Sequence, residues 1–171
     1  MKKYLVILLL AFAWGAPCSQ AQTPSDFTEP NLKNFILSWY HSTNDHLPKE
    51  TLLAFLDEKV EFIYPDSPKP VVGKQAFLDW YANALDRYFD ETHTIENWKS
   101  VEIKGDRATV SLVVRWEYRT WKTGEARSQY HANLAHQRWE IQRNPADGSF
   151  KTMKKIVESF EPTAPIYEVG P

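Results

Sequence analysis

Between Ala108 and Trp121 apolar and polar residues alternate. Val110, Leu112, Val114, Trp116 and Tyr118 fall on one side, and Thr109, Ser111, Arg115, Glu117 and Arg119 on the other. A period of two over that length fits a long β-strand with one buried face. One strand cannot bury that face alone, so it demands neighbours, and the flanking sequence supplies them. His93 to Lys104 reads as a strand ending at the turn Gly105-Asp106. A turn around Thr123-Gly124 leads to a strand from about Gln129 to Arg143, and Asp147-Gly148 turns into a last strand, Phe150 to Phe160.

The first half of the chain has a helical period. Leu32, Phe35, Ile36, Trp39 and Tyr40 share one helix face, with Pro30 suited to the first turn and an end near Asn44. Pro48 opens a second, shorter helix carrying Leu52, Leu53 and Leu56. Val60 to Tyr64 is a short strand stopped by Pro65, Pro68 and Pro70. A third helix follows Gly73, with Phe77, Tyr81, Ala84, Leu85 and Tyr88 on one face. Helices first and antiparallel strands second argue an α+β fold, with the helices on one face of a curved sheet.

The chain has 171 residues, enough for one domain with a proper core. Lys2-Lys3, the apolar run Tyr4 to Ala16 and the small residues of Ser19-Gln20-Ala21 form the three-part pattern of a secretory signal peptide, residues 1–21. The run is too short to cross ~30 Å of hydrocarbon as a helix. Lipid anchoring at Cys18 is disfavoured, because Pro17 stands at the cut site. Cleavage after Ala21 leaves no cysteine, hence no disulfide or thiol chemistry. The expected location is periplasmic or secreted, with no membrane attachment after cleavage. Residues 22–30 read as a flexible lead-in, 31–162 as the domain and 163–171 as a tail.

The formal charge is −2, and losing Lys2 and Lys3 makes the chain more acidic. That is a poor footprint for nucleic acid or anionic lipid. Lys151, Lys154 and Lys155 read as a solvated strand face. The five His residues show no metal-ligand spacing, so no metal or cofactor is expected. No G-x-S-x-G and no phosphate-binding glycine loop is present.

The order and spacing of several segments resemble the nuclear transport factor 2-like superfamily, in particular its SnoaL-like branch, from about Asn31 to Pro162. The residues that carry the resemblance are Trp39-Tyr40, Leu53-Ala54-Phe55-Leu56 with Val60-Glu61-Phe62, and Gly73-Lys74-Gln75-Ala76-Phe77. Ile95-Glu96-Asn97, the run Val101 to Val110 and the closing hairpin at Asp147-Gly148 complete it. The resemblance implies a cone, a cystatin-like roll in which three helices pack on a strongly bent antiparallel sheet with a pocket at one end. It also implies dimerisation through the outer sheet face. The superfamily spans a steroid isomerase, dehydratases, an epoxide hydrolase, polyketide cyclases and non-catalytic binding modules, so the fold does not choose the function.

Sheet parity nominates the pocket. His93, Ile95 and Asn97 share a face with Val101 and Ile103. Trp116 and Tyr118 share one on the next strand, and His131, Asn133, Ala135 and Gln137 follow the phase of Trp139 and Ile141. A single bulge reverses any of these. His93 is the candidate proton carrier, with Asp45 or Tyr40 from the first helix to orient it. The resemblance agrees, since some dehydratases of the family pair a helix-borne acid with a sheet-borne His. The bland alternative is a His that merely begins a strand. His131 and Asn133 are candidates for binding or oxyanion stabilisation. Trp39, Tyr64, Tyr81, Asn97, Trp116 and Tyr118 are candidate lining residues. The steroid isomerase abstracts its proton with an Asp before a Pro, whereas Tyr64 precedes Pro65 here.

Three functions fit these residues. The first is binding of a small apolar or aromatic molecule, probed without assuming catalysis. The second is a cofactor-free lyase or isomerase using His93 with Asp45 or Tyr40. The third is a protein-interaction module acting through the outer sheet face, which requires a cone filled by side chains.

Overall fold

In the computed structural model, residues 26–164 and residue 166 are described. The expected export signal, Cys18 and most of the expected tail lie outside these residues. The first helix, α1 (Glu29–Asn44), carries Pro30 in its first turn and buries Leu32, Ile36, Trp39 and Tyr40. The second, α2 (Lys49–Leu52), is one turn long and continues into a 3-10 turn at Leu53–Phe55. Leu56, expected on that helix, instead begins strand β1 (Leu56–Ile63), which the Pro-rich segment ends. A two-residue strand, β2 (Val71–Val72), pairs with β1 and leads to α3 (Lys74–Leu85). Gly73 joins them at φ +84°, where a side chain would be strained, and its N–H donates to Val60 O at 2.7 Å.

Four long strands follow: β3 (Phe89–Lys104), β4 (Arg107–Thr120), β5 (Gln129–Arg143) and β6 (Phe150–Pro162). The sheet order is β2-β1-β6-β5-β4-β3. The expected α+β fold is present, with one change in detail. The sheet is mixed, because β1 runs parallel to β6, while every other pair is antiparallel. Register shifts interrupt β3 three times and the β5–β6 pair twice. Such bulges bend a sheet, and they let this one wrap its helices.

Apolar residues of β4 and β5 face the helices. Val110, Leu112, Val114, Trp139 and Ile141 close one core with Ile36, Trp39, Phe62 and Phe77. Trp39 is its hub: its ring lies 5.7–6.0 Å from those of Phe55, Phe62, Phe77 and Trp139. The opposite sheet face is wetter, as where Lys154 pairs with Glu61 at 2.7 Å between β6 and β1.

Candidate functional site

The aromatic packing does not fill the sheet's concave side. A cavity of about 600 Å³ remains between α1, α3 and the strands. Its walls include Trp39, Tyr64, Trp80, Tyr81, Tyr88, Trp116, Tyr118 and Phe160. Rings brace one another there: Tyr64 stacks on Trp80 at 4.9 Å, and Tyr88 meets Trp116 and Tyr118 edge-on at 5.2 and 4.9 Å. Glu91, His93, Asn133, Gln137 and Lys155 add polar atoms.

His93 sits between two rings, 5.0 Å from Tyr40 and 6.2 Å from Trp116. Its Nδ1 lies 2.9 Å from Asn44 Oδ1, which also accepts the His93 backbone N–H at 2.8 Å. The same Asn44 amide donates through Nδ2 to His93 O at 3.1 Å. This second bond fixes which end of the amide is oxygen, so Nδ1 must carry the proton and Nε2 the lone pair. Nε2 is 3.4 Å from Glu91 Oε1, which accepts the Trp116 indole N–H at 2.7 Å. Burial pushes His93 down to about 3, with Lys155 and His46 adding to the shift. Burial also raises the Glu91 carboxyl, against the opposing pull of the Trp116 bond. Both shifts work against charge at the two groups.

The sequence-nominated orienting acid is not the residue that meets His93. Asp45 caps α1 and turns outward to His41, 3.3 Å away. The helix ends at Asn44, as expected, and it is Asn44, one residue earlier, that faces His93. Tyr40 does reach His93, by stacking, while its hydroxyl donates to Gln137 Oε1 at 2.5 Å. Burial raises that hydroxyl far above the ordinary range, so it stays protonated.

Asn97 is exposed and outside the cavity. The register shift between Ile95 and Asn97 turns it to the other face, and Trp98 packs inward instead. His131 lies on the expected face, stacked on Tyr118 at 4.9 Å and 2.9 Å from the Thr120 hydroxyl, but it does not line the cavity. Asn133, Trp116, Tyr118, Tyr64, Tyr81 and Trp39 all line it.

Besides Asn44, two further residues escaped the sequence reading. Glu91 precedes the clear alternation of β3, behind a register shift between Phe89 and Thr92. Lys155 is corrected from a solvated lysine to a buried one, 7% exposed. The usable signal was its place two residues before inward Val157. Its ammonium lies 4.9, 5.2 and 5.8 Å from the ring centres of Trp139, Tyr40 and Trp39. Burial lowers it to about 7, with Glu91 pulling the other way. Among the described residues, no group of three His, Cys, Asp or Glu could hold a metal ion, and no helix is long and apolar enough to cross a membrane.

Known structures share this architecture. A conserved protein from Planctomyces limnophilus superposes with a TM-score of 0.65 at 16% identity, covering 79% of this chain and 97% of that one. A hexachlorocyclohexane dehydrochlorinase from Novosphingobium barchaimii gives 0.64 at 19% identity, covering 82% and 92%. An NTF2-like protein with a cystatin-like fold from Novosphingobium aromaticivorans gives 0.55 at 16% identity, covering 74% and 78%. At these identities the likeness is one of fold. No curated protein matches the chain. The model of the SnoaL-like domain matches residues 36–142, more than half of the sequence. The chain therefore belongs to the SnoaL-like domain family of the nuclear transport factor 2-like superfamily.

Proposed function

We propose that this protein binds a small, largely aromatic molecule in its cavity and moves a proton on it, as a lyase or isomerase working with its own side chains. The observation that carries this reading is the pair His93 and Glu91, 3.4 Å apart at the edge of an aromatic cavity. Glu91 is the stronger base of the two, since burial raises its carboxyl and lowers His93, and it takes and returns the proton beside His93 Nε2. A dehydrochlorinase among the structural neighbours is in keeping with elimination chemistry on this fold.

Binding without turnover is the second reading, and Tyr64 favours it. The residue before Pro65 is a tyrosine whose hydroxyl burial raises well above its ordinary value, so it is no base. The interaction-module reading needs a filled cone, and the open cavity speaks against it.

The test uses α-tetralone, an aromatic ketone with acidic C–H bonds, in deuterated buffer. Binding is read by tryptophan fluorescence and deuterium wash-in by NMR. Wild-type wash-in that disappears in H93A and E91Q supports proton transfer. Binding without wash-in leaves a binding protein, and no binding at all sinks both readings.

The export signal and the homodimer belong to the same proposal. A mature chain beginning at Gln22 in the exported fraction, with sedimentation at twice the chain mass, is the expected result. An uncleaved chain or a monomer overturns the corresponding part.

A further inference from the structure

Proton transfer by Glu91 beside His93 leaves two polar groups of the cavity unused. The first is Lys155. Its ammonium faces three rings, which stabilise a cation without neutralising it. Among the described residues no carboxylate lies within 4.0 Å of Nζ, whereas the adjacent Lys154 has Glu61 at 2.7 Å. The second is Tyr81, 5% exposed and on the cavity wall, whose buried hydroxyl has no hydrogen-bond partner among the described residues. Burial holds that hydroxyl up at about 12, so it remains a donor.

A buried ammonium without a counter-ion and a buried hydroxyl without an acceptor are both costly when left unmet. Glu91 answers neither, being engaged with Trp116 and His93. A carboxylate is the complement of each, bringing one negative charge and two acceptor oxygens into the cavity that both residues line. We propose that the cavity takes an aromatic monocarboxylate, its ring among the Trp and Tyr side chains and its carboxylate on Lys155, with Tyr81 as second donor. This rests on the reading of the cavity as a small-molecule site.

The surroundings of Lys155 set its proton: burial lowers it, and Glu91 from β3 opposes that. Tyr40 from α1 and His93 from β3 lie nearby, and Asp66 and Arg87 line the same cavity. With the amine lowered to about 7, it is largely neutral in slightly alkaline buffer. A bound carboxylate then draws a proton onto it, so binding takes up a proton.

Isothermal titration of the whole protein with 2-naphthoate and its neutral isostere 2-naphthamide tests this. The wild type is expected to prefer naphthoate by about tenfold or more, with a binding heat that depends on the buffer's ionisation enthalpy. K155M is expected to bind naphthamide still and to lose both the preference and the proton uptake. K155R keeps the preference, and Y81F weakens naphthoate more than naphthamide, which carries the test if K155M does not fold. Equal affinities in the wild type, or a preference that survives K155M, overturn the carboxylate proposal while leaving a small-molecule site. Failure of both probes to bind overturns the site reading as well.

Discussion

Asn44 Oδ1 lies 2.9 Å from His93 Nδ1 and 2.8 Å from the His93 backbone nitrogen, so one amide oxygen holds both the ring and the strand that carries it. An amide in this position orients the imidazole without charging it. A carboxylate there would pull the imidazole towards its protonated form.

N44D is therefore expected to raise the His93 pKa from about 3 towards the ordinary imidazole range. Following the His93 C–H resonances by NMR from acid to neutral pH checks this. N44A, which removes the amide from three bonds at once, is expected to destabilise the fold by about 1–3 kcal/mol in urea unfolding. An unchanged His93 titration in N44D would contradict the contact between Asn44 and the imidazole.

The Trp116 indole N–H holds the Glu91 carboxyl down against its burial. W116F deletes that donor and keeps an aromatic ring. The expected result is a Glu91 carboxyl titrating still higher than in the wild type, read from its carbon chemical shift. A downward movement would exclude the indole as its partner.

Lys155 gives the stability a pH dependence of determinate sign. Its folded value, about 7, lies below the unfolded value of 10.5. Between these two values the unfolded chain binds more protons, so Lys155's contribution makes stability rise with pH over that window. Below about 7 both states are protonated and the penalty for charging the buried amine is fully present. Chemical unfolding at several pH values is expected to show this alkaline rise in the wild type and a flatter profile in K155M.

Trp39 and Tyr40 are neighbours in sequence with unequal stakes. W39A empties the hub of the aromatic core and is expected to cost about 3–5 kcal/mol. Y40F removes a single hydroxyl from Gln137 Oε1, which keeps the Trp139 indole N–H at 3.1 Å, so a loss near 1 kcal/mol is expected. Urea midpoints of the two variants measure the difference, and equal losses would place the core's centre elsewhere.

Regular alternation made most of the fold legible. Strand β5 begins and ends at the residues its pattern indicates, and α3 starts directly after Gly73. What alternation cannot carry is a register shift. The bulge after Ile95 sends Asn97 outward, and the irregular start of β3, where Asp90 adopts φ +51°, hides Glu91. Lys155 was obscured by the company of Lys151 and Lys154, which do sit on the wetter side, bonded to Ala54 O and Glu61. Asp45 and Asn44 are separated by one step of a helix turn, about 100° of rotation, enough to decide which of them faces His93.

The parallel seam between β1 and β6 joins the beginning of the described domain to its end. A ribosome-bound chain that stops short of residue 150 offers Leu56–Ile63 only the two-residue β2 as a strand partner, and it also lacks the lysine of the cavity. Every partial chain is thus an unfinished sheet with an open edge, the state most prone to pair with the wrong strand. Closing so long a loop is slow compared with forming the β3–β4 hairpin. The last of the described strands is the one that joins β1 to the rest of the sheet and installs the buried lysine, so the continuous sheet and the cavity's ammonium arrive in the same event.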